Sequence, residues 1–259
     1  MEKQQKERKI DTLRPYYSIV VPCYNSKNVL RPLLESIVQQ HMLKNEIEVI
    51  LADDCSTESY QDLVDEYKYK LNIKQTKTAY NCCPGNTRQA GVDVATGEWL
   101  IFSDHDDAFF PDVLPKVRQE IEKSHCDTAV FTKFVKTNKD RTAYKQMPSA
   151  GWTHGKIFNK DNFWDKYHFH YIKDLTSHED ISISSQINCV FSREKETMKV
   201  LYLDIITYQW VEREESESNR VYHDEFGVER PFLDIFYIDY LSSTAGVYYS
   251  KYKEGLISK

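Results

Sequence analysis

The sequence predicts an α/β fold: a mostly parallel central sheet with helices on both faces. Two observations carry that expectation. Three apolar runs rich in β-branched residues each end abruptly in polar, turn-forming residues, and helix-length segments separate them. Strand alternating with helix is the pattern of a parallel sheet covered by helices. Ligands of such sheets bind outside the carboxyl ends of the strands. The polar residues that end each run are therefore candidate site residues.

The first run, Tyr17-Ser18-Ile19-Val20-Val21, stops at Pro22-Cys23-Tyr24-Asn25, and residues 28–40 follow as a helix. The second, Glu48-Val49-Ile50-Leu51-Ala52, gives way to Asp53-Asp54-Cys55-Ser56-Thr57. Residues 60–69 and 85–95 are further helix-length segments. The third run, Trp99-Leu100-Ile101-Phe102, breaks into Asp104, Asp106 and Asp107, three acids within four positions. Pro111-Asp112 then opens a helix over 113–123, with Pro expected in its first turn. Residues 128–132 read as a strand, and 136–145 as a polar excursion to the surface. Glu179-Asp180 begins an apolar-periodic stretch through Ile181, Ile183, Ile187, Val190 and Phe191. Residues 206–213 read as a strand before a charged segment.

Clustered carboxylates at the end of a buried strand are electrostatically costly unless a positive charge sits among them. A divalent cation is the usual answer, since carboxylates supply hard oxygen ligands. A solvated acidic turn is the alternative. Asp180 has two readings as well. Acids at a helix N-terminus are favoured by the helix dipole, so it reads as a cap or as a working carboxylate. His154, His168, His170 and His178 raise a zinc site, with His168 and His170 on one face of a strand. No cysteine stands at ligand spacing, and the carboxylates favour a harder metal.

Four ordered motifs carry a resemblance. The stretches Ser18–Asn25 and Ile50–Thr57 resemble the first strand and the "DDGS" turn of family 2 glycosyltransferases of the GT-A type, with Cys55 in place of the usual Gly. Asn81 and Pro84-Gly85-Asn86-Thr87-Arg88-Gln89-Ala90-Gly91 resemble that family's "N-x-G-x-x-x-A-R-N-x-G" helix start. Asp104-His105-Asp106-Asp107 fits "D-x-D-D-x-x-x-P". The match runs from residue 17 to about 115. Trp152-Thr153-His154-Gly155-Lys156-Ile157-Phe158 is more loosely similar to an acceptor-side "W-G-K-L-[FY]" segment. Arg213, Ser216 and Ser218 resemble the tail of shorter members.

The resemblance implies a GT-A Rossmann-like sheet plus a smaller acceptor-side and C-terminal region. The implied divisions are a lead-in (1–15), a nucleotide-sugar half (16–115), an acceptor half (116–215) and a C-terminal extension (216–259). It implies inverting transfer from a nucleotide-diphosphate sugar, a UDP-sugar, to a glycan or other hydroxyl-bearing acceptor in glycan or cell-surface polysaccharide synthesis. Mn2+ or Mg2+ would be held by Asp106 with Asp104. Pro22, Tyr24, Asn25, Asp53, Asp54, Arg88, Asp104 and His105 would bind the donor, and Asp180 would be the general base. His223 is a further candidate ligand of the metal or a phosphate. Two other classes stay open: a nucleotidyltransferase, and a degenerate GT-A module that binds without turnover. The first would need a Gly-rich phosphate loop after the first strand. Pro22-Cys23-Tyr24-Asn25-Ser26 has no glycine.

A chain of 259 residues is large enough for one big α/β domain, or for one domain with a smaller appendage. Its net charge of -6 argues against non-specific nucleic-acid binding. No window approaches the roughly 18 apolar residues of a membrane span, and the Q-x-x-R-W motif of processive synthases is absent. Residues 1–9 lack the apolar core of a secretory signal. Six cysteines with no C-x-x-C pair suit a reduced, cytoplasmic protein, free or peripheral at the inner membrane face.

Overall fold

The computed structural model describes residues 14–147, 153–173, 175 and 179–212, together with the backbone of two short strands at 221–223 and 229–231. Strands β1 (Tyr17–Cys23), β2 (Ile47–Asp53), β3 (Asn72–Lys77) and β4 (Trp99–Phe102) lie parallel in the order β3-β2-β1-β4. All seven residues of β1 and of β2 are buried. A strand covered on both faces needs a continuous apolar run, which is what those segments supply.

The sheet continues beyond β4 with mixed polarity. Short β5 (Ala108–Phe109), long β6 (Ala129–Thr137), β7 (Tyr144–Met147), β8 (Lys156–Asn159) and β9 (Val200–Val211) complete it. β8 runs antiparallel between β4 and β6, β9 lies parallel to β6, and β5 closes the far edge against β9. The nucleotide and acceptor halves expected to meet near residue 115 thus share one sheet. β10 (Val221–His223) and β11 (Glu229–Pro231) form a separate antiparallel pair.

Two apolar layers sandwich the sheet. On one face lie α1 (Lys27–Val38), α2 (Gln61–Tyr67) and α4 (Val113–Ser124). Helix α1 buries Leu30, Leu33, Leu34 and Ile37, one stripe at helical spacing. Each such side chain contributes about 1.5–3 kcal/mol when fully buried. The other face carries α3 (Pro84–Val94), a π-helical turn (Lys160–Asp165) and α5 (Glu179–Glu194). Gly91 lets α3 approach β1 closely: a Cβ there would sit 2.5 Å from the Val20 Cγ1.

Several local expectations change. Helix α4 begins at Val113, so Pro111 precedes it instead of occupying its first turn. The cap comes from far away, because Gln40 Oε1 accepts the N–H groups of Val113 and Leu114 at 3.1 and 3.0 Å. Residues 136–145 do reach the surface, as a hairpin at the sheet's margin with Lys136 paired to Lys145. Asn138 Oδ1 closes its loop by accepting from Thr142 N and Ala143 N. Residues 168–170 lie outside any strand, and His168 has a positive φ of 54°. The shared strand face behind the zinc reading is therefore missing. No helix among the described residues is long and apolar enough to cross a membrane.

Candidate active site

The carboxyl ends of β1, β2 and β4 converge, and their loops are stitched together by side chains. Asn25 donates its N–H to Ser56 Oγ at 2.9 Å, and its Oδ1 accepts from the Thr57 N–H and hydroxyl at 3.0 Å each. Tyr24 beside it is 50% exposed. His105 Nδ1 lies 3.1 Å from the Pro22 carbonyl, which can only accept, so that nitrogen carries the proton. Cys55 has φ 60°, the left-handed region where glycine is usual. An L-residue there costs roughly 1–2 kcal/mol, and the turn around it is correspondingly well tied.

The two acids of that turn differ. Asp53 Oδ1 accepts from Ser56 N at 2.8 Å and Oδ2 pairs with Lys77 at 3.1 Å, so both oxygens serve the turn. Asp54 receives the Thr78 hydroxyl, Cys82 N and Cys82 Sγ at 3.0, 3.0 and 3.1 Å, all on Oδ1. Among the described residues its Oδ2 accepts none. A polar cavity of about 350 Å3 opens beside this turn, lined by Asp53, Ser56, Tyr60 and Lys77.

The β4 loop holds the densest charge. Asp104 Oδ1 accepts from Arg88 Nη2 at 2.7 Å, and Oδ2 lies 3.3 Å from His154 Nε2. Burial pushes the Asp104 carboxyl up, but Arg88 and His154 outweigh it and hold it well below the usual carboxylate range. Asp107 goes the other way: burial, then the charges of Asp104 and Asp106, raise it well above that range. It is fully buried, and both its oxygens accept, from the Tyr208 hydroxyl at 2.7 Å and Val211 N at 2.8 Å. Asp106 is half-buried between them. One ligand atom each from Asp104, Asp107 and His154 lies within 4.8 Å of the others, a group that does not include Asp106.

Arg88 reaches further. Its Nη1 donates to Glu179 at the start of α5, so one buried guanidinium joins the β4 loop to that helix. Asp180 follows. Burial first, and the neighbouring Glu179 charge second, push its carboxyl up to about 6, against the pull of Arg88. Lys156, at the start of β8, is 7% exposed; burial lowers its ammonium to about 8, opposed by the Asp180 charge.

With that arrangement in view, comparison with known proteins is decisive. The family description "Glycosyl transferase family 2" matches residues 18–196. The chain belongs to that family. It is 36% identical over 116 residues to the poly(ribitol-phosphate) beta-N-acetylglucosaminyltransferase TarS of Staphylococcus aureus, a match covering 44% of this chain and 20% of TarS. A poly(ribitol-phosphate) beta-glucosyltransferase of Bacillus spizizenii is 38% identical over 92 residues, 35% of this chain and 14% of that protein. The chain thus spans about a fifth or less of the length of these relatives. Among solved structures, S. aureus TarS 1-349 in complex with UDP-GlcNAc superposes with a TM-score of 0.65 at 24% identity, covering 77% of this chain and 59% of the other. The mannosyltransferase PcManGT of Pyrobaculum calidifontis, in complex with GDP-Man and Mn2+, gives 0.56 at 14% identity, covering 80% and 59%. The fold is that of the GT-A glycosyltransferases.

Against this family 2 frame, the motif residues fall into two groups. Pro22, Tyr24, Asn25, Asp53, Asp54 and His105 border the β1 and β2 loops. Arg88, Asp104 and Asp106 meet at the β4 loop, and Arg88 ties it to Glu179-Asp180. Trp152, His178, Arg213, Ser216 and Ser218 lie outside the described residues, and the side chain of His223 is not described. Sequence reasoning missed the parts played by Asp107 and Tyr208. No local pattern announces them, because 101 residues separate the two partners. His154 is legible as a possible zinc ligand and as a member of the acceptor-side segment, but not in its place here, where its ring stacks on Tyr208 with centroids 5.0 Å apart and faces Asp104.

Proposed function

We propose that this chain carries the catalytic domain of an inverting glycosyltransferase. It moves a sugar from a nucleoside diphosphate, a UDP-sugar in this reading, to an acceptor hydroxyl in glycan or cell-surface polysaccharide synthesis. One observation carries the proposal: the Arg88 bridge sets Asp104, on the donor loop, against Glu179, whose neighbour Asp180 is raised to about 6. A carboxylate that titrates near neutrality is suited to take the proton of an attacking hydroxyl. The solved TarS complexes with UDP-GlcNAc and with UDP support the choice of donor. The poly(ribitol-phosphate) in the names of two relatives supports a cell-surface polymer as acceptor.

In this reading Asp54 uses its Oδ2 to accept a hydrogen bond from the nucleobase, while Pro22, Tyr24, Asn25, Asp53 and His105 shape the slot around it. The acid loop fits a divalent cation, since ligand atoms of Asp104, Asp107 and His154 already converge there and half-buried Asp106 stands in the same loop. Asp106 and Asp104 would hold Mn2+ or Mg2+, with His154 alongside. When bound, the cation neutralises charge that develops on the diphosphate leaving group. Arg88 keeps Asp104 ionised and Glu179 in place. Asp180 takes the acceptor hydroxyl's proton as that oxygen bonds the anomeric carbon on the face opposite the leaving group; the bond from that carbon to the diphosphate oxygen breaks, and the carbon inverts.

The test is incubation of the protein with a panel of nucleotide sugars and Mn2+ in water. Slow release of nucleoside diphosphate supports the transferase. Pyrophosphate released from a nucleoside triphosphate would assign a nucleotidyltransferase instead, and no turnover with any donor would assign a binding module.

A further inference from the structure

Cys82 lies in the loop joining β3 to α3, and the donor chemistry above gives it no part. The loop is pinned at both ends. At its start the Thr78 N–H donates to the Asp53 carbonyl at 2.9 Å. At its end the Cys83 carbonyl accepts the Thr87 N–H at 3.2 Å and the Thr87 hydroxyl at 2.9 Å. Between them Asn81 Nδ2 reaches the Asp54 carbonyl at 3.4 Å. The loop is thus laid along the end of β2, against the residue assigned to the nucleobase.

Asp54 is buried, and its two oxygens are treated unequally. Cys82 gives Oδ1 two donors, its backbone N–H at 3.0 Å and its thiol at 3.1 Å. The thiol has one proton and a second acceptor, the Cys83 carbonyl, at 3.9 Å, so the shorter contact to the carboxylate wins. Thr78 is a less committed donor. Its single hydroxyl proton has three acceptors: the Tyr80 carbonyl at 2.9 Å, Asp54 Oδ1 at 3.0 Å and the Asp53 carbonyl at 3.4 Å. Among the described residues, Cys82 therefore supplies the dedicated hold on Oδ1. Oδ2 accepts from none of them and is not sealed from solvent.

A carboxylate oxygen offers about two lone-pair positions. The two Cys82 donors fill those of Oδ1, which leaves Oδ2 as the atom that meets a ligand. Holding one oxygen also fixes the plane and direction of the other. A carboxylate only accepts, so Oδ2 suits a base edge that presents a ring N–H. Uracil carries one at N3. Cytosine has a lone pair there, which a carboxylate repels, and such repulsion is how a site rejects the wrong partner. A carboxylate held at neither oxygen would turn to suit either edge and discriminate less.

We infer that Cys82 is a positioning residue for donor recognition. By saturating Asp54 Oδ1 it makes Oδ2 a single directed acceptor, and so sets the preference for a base with a ring N–H, that is, for uracil. The inference rests on the reading of Asp54 as the acceptor of the nucleobase and adds the group that aims it. Cys82 acts through Asp54, and its thiol proton is what the role requires. A thiol that merely fills the loop would need only its volume.

The test is calorimetric titration of UDP, and of its analogue built on 3-methyluridine, into the parent, Cys82→Ala and Cys82→Ser at saturating Mg2+. The methyl group removes the ring N–H and leaves ribose and diphosphate unchanged. The parent should bind UDP at least about tenfold more tightly than the analogue, the scale of a hydrogen bond to a charged group. In Cys82→Ala that ratio should fall about three- to tenfold, the scale of one hydrogen bond lost from Oδ1. The fall should come from weaker UDP binding, while affinity for the analogue holds or rises as the released carboxylate swings clear of the methyl group. Cys82→Ser keeps a hydroxyl donor and should restore the ratio. Cys82 is only half-buried, so the melting temperature should move little in either variant. Equal loss of both ligands in Cys82→Ala, or a Ser variant that behaves like Ala, marks a structural thiol and overturns the inference. An unchanged ratio in Cys82→Ala overturns it too, and leaves the Asp54 reading standing. A parent that binds UDP and the analogue alike removes the Asp54 reading itself, so the two failures are told apart.

Discussion

Replacing Asp180 by Asn separates catalytic demand from stability in one experiment. The carboxyl stands at about 6 in the folded protein, against 3.8 for the ordinary group. Because the folded value is raised, the folded state binds more protons than the unfolded state between those limits, and stability falls as pH rises through them. Above about pH 6 the whole penalty is present. A gap of just over two pH units is about 3 kcal/mol, at about 1.36 kcal/mol per unit. At pH 4.5 linkage leaves about 1 kcal/mol, and below the unfolded value almost nothing. Asn keeps the shape but cannot ionise. Asp180→Asn is therefore expected to be about 3 kcal/mol more stable than the parent at pH 8, and only about 1 kcal/mol more stable at pH 4.5. Urea denaturation at the two pH values measures both differences. Transfer by the same variant should fall by about 10²-fold or more, the scale of losing a positioned base. A variant no more stable at pH 8, or equally stabilised at both pH values, would refute the buried-carboxylate argument. Near-parental transfer would remove Asp180 from the chemistry and pass the role to Glu179 or His178.

The remaining expectations concern the donor side and the pH profile. Transfer by the parent should decline about tenfold per unit below pH 6, as the base takes up its proton, and this limb should vanish in Asp180→Asn; a parent profile flat down to pH 5 would contradict the assignment. Asp106→Asn should lose turnover and cation-dependent donor binding together, and calorimetry that still detects Mn2+-dependent binding of a nucleoside diphosphate would exclude Asp106 as the ligand. Asp54→Ala should weaken nucleotide affinity with little loss of stability, since it sits at a strand terminus; unaltered affinity in the same titration would end its role with the base. Tyr208→Phe removes hydrogen bonds to buried Asp107 and to Asp104 N, so it should cost about 1–3 kcal/mol in urea denaturation; a neutral result would mean that the Asp107 carboxyl does not depend on it.

Much of the parallel half of the fold is legible because burial on both faces leaves a continuous apolar signature. The expected strands at 17–21, 48–52 and 99–102 differ by at most two residues at either end from β1, β2 and β4. β3 escapes for the opposite reason. Asn72-Ile73-Lys74-Gln75-Thr76-Lys77 is an edge strand of half-buried and exposed residues, with one apolar side chain and no helix-length break to frame it. The first half of β9 hides in the same way, its burial alternating along Leu201–Ile206. The acid loop of the site is legible because its residues are contiguous. The network that sorts those acids is assembled from Arg88, His154, Glu179 and Tyr208, which the fold alone brings together.

That sorting is the central electrostatic fact of the site. Asp104, Asp106, Asp107, Glu179 and Asp180 crowd one edge of the sheet and could not all be ionised there without compensation. Arg88 divides the problem. By bridging Asp104 and Glu179 it stabilises two of the charges. Asp107, held by the Tyr208 hydroxyl and Val211 N, is driven towards the neutral form by burial and then by the charges of Asp104 and Asp106. Asp180, one residue beyond the bridge, receives only part of the arginine's field and stays poised near neutrality. A lysine at position 88 could not reproduce this, because a point charge lacks the fork that addresses two carboxylates at once. The arginine thus does more than brace an acid pair. It sets which carboxylate is always charged and which can exchange a proton, and it makes the β4 loop and the proposed base on α5 a single electrostatic unit.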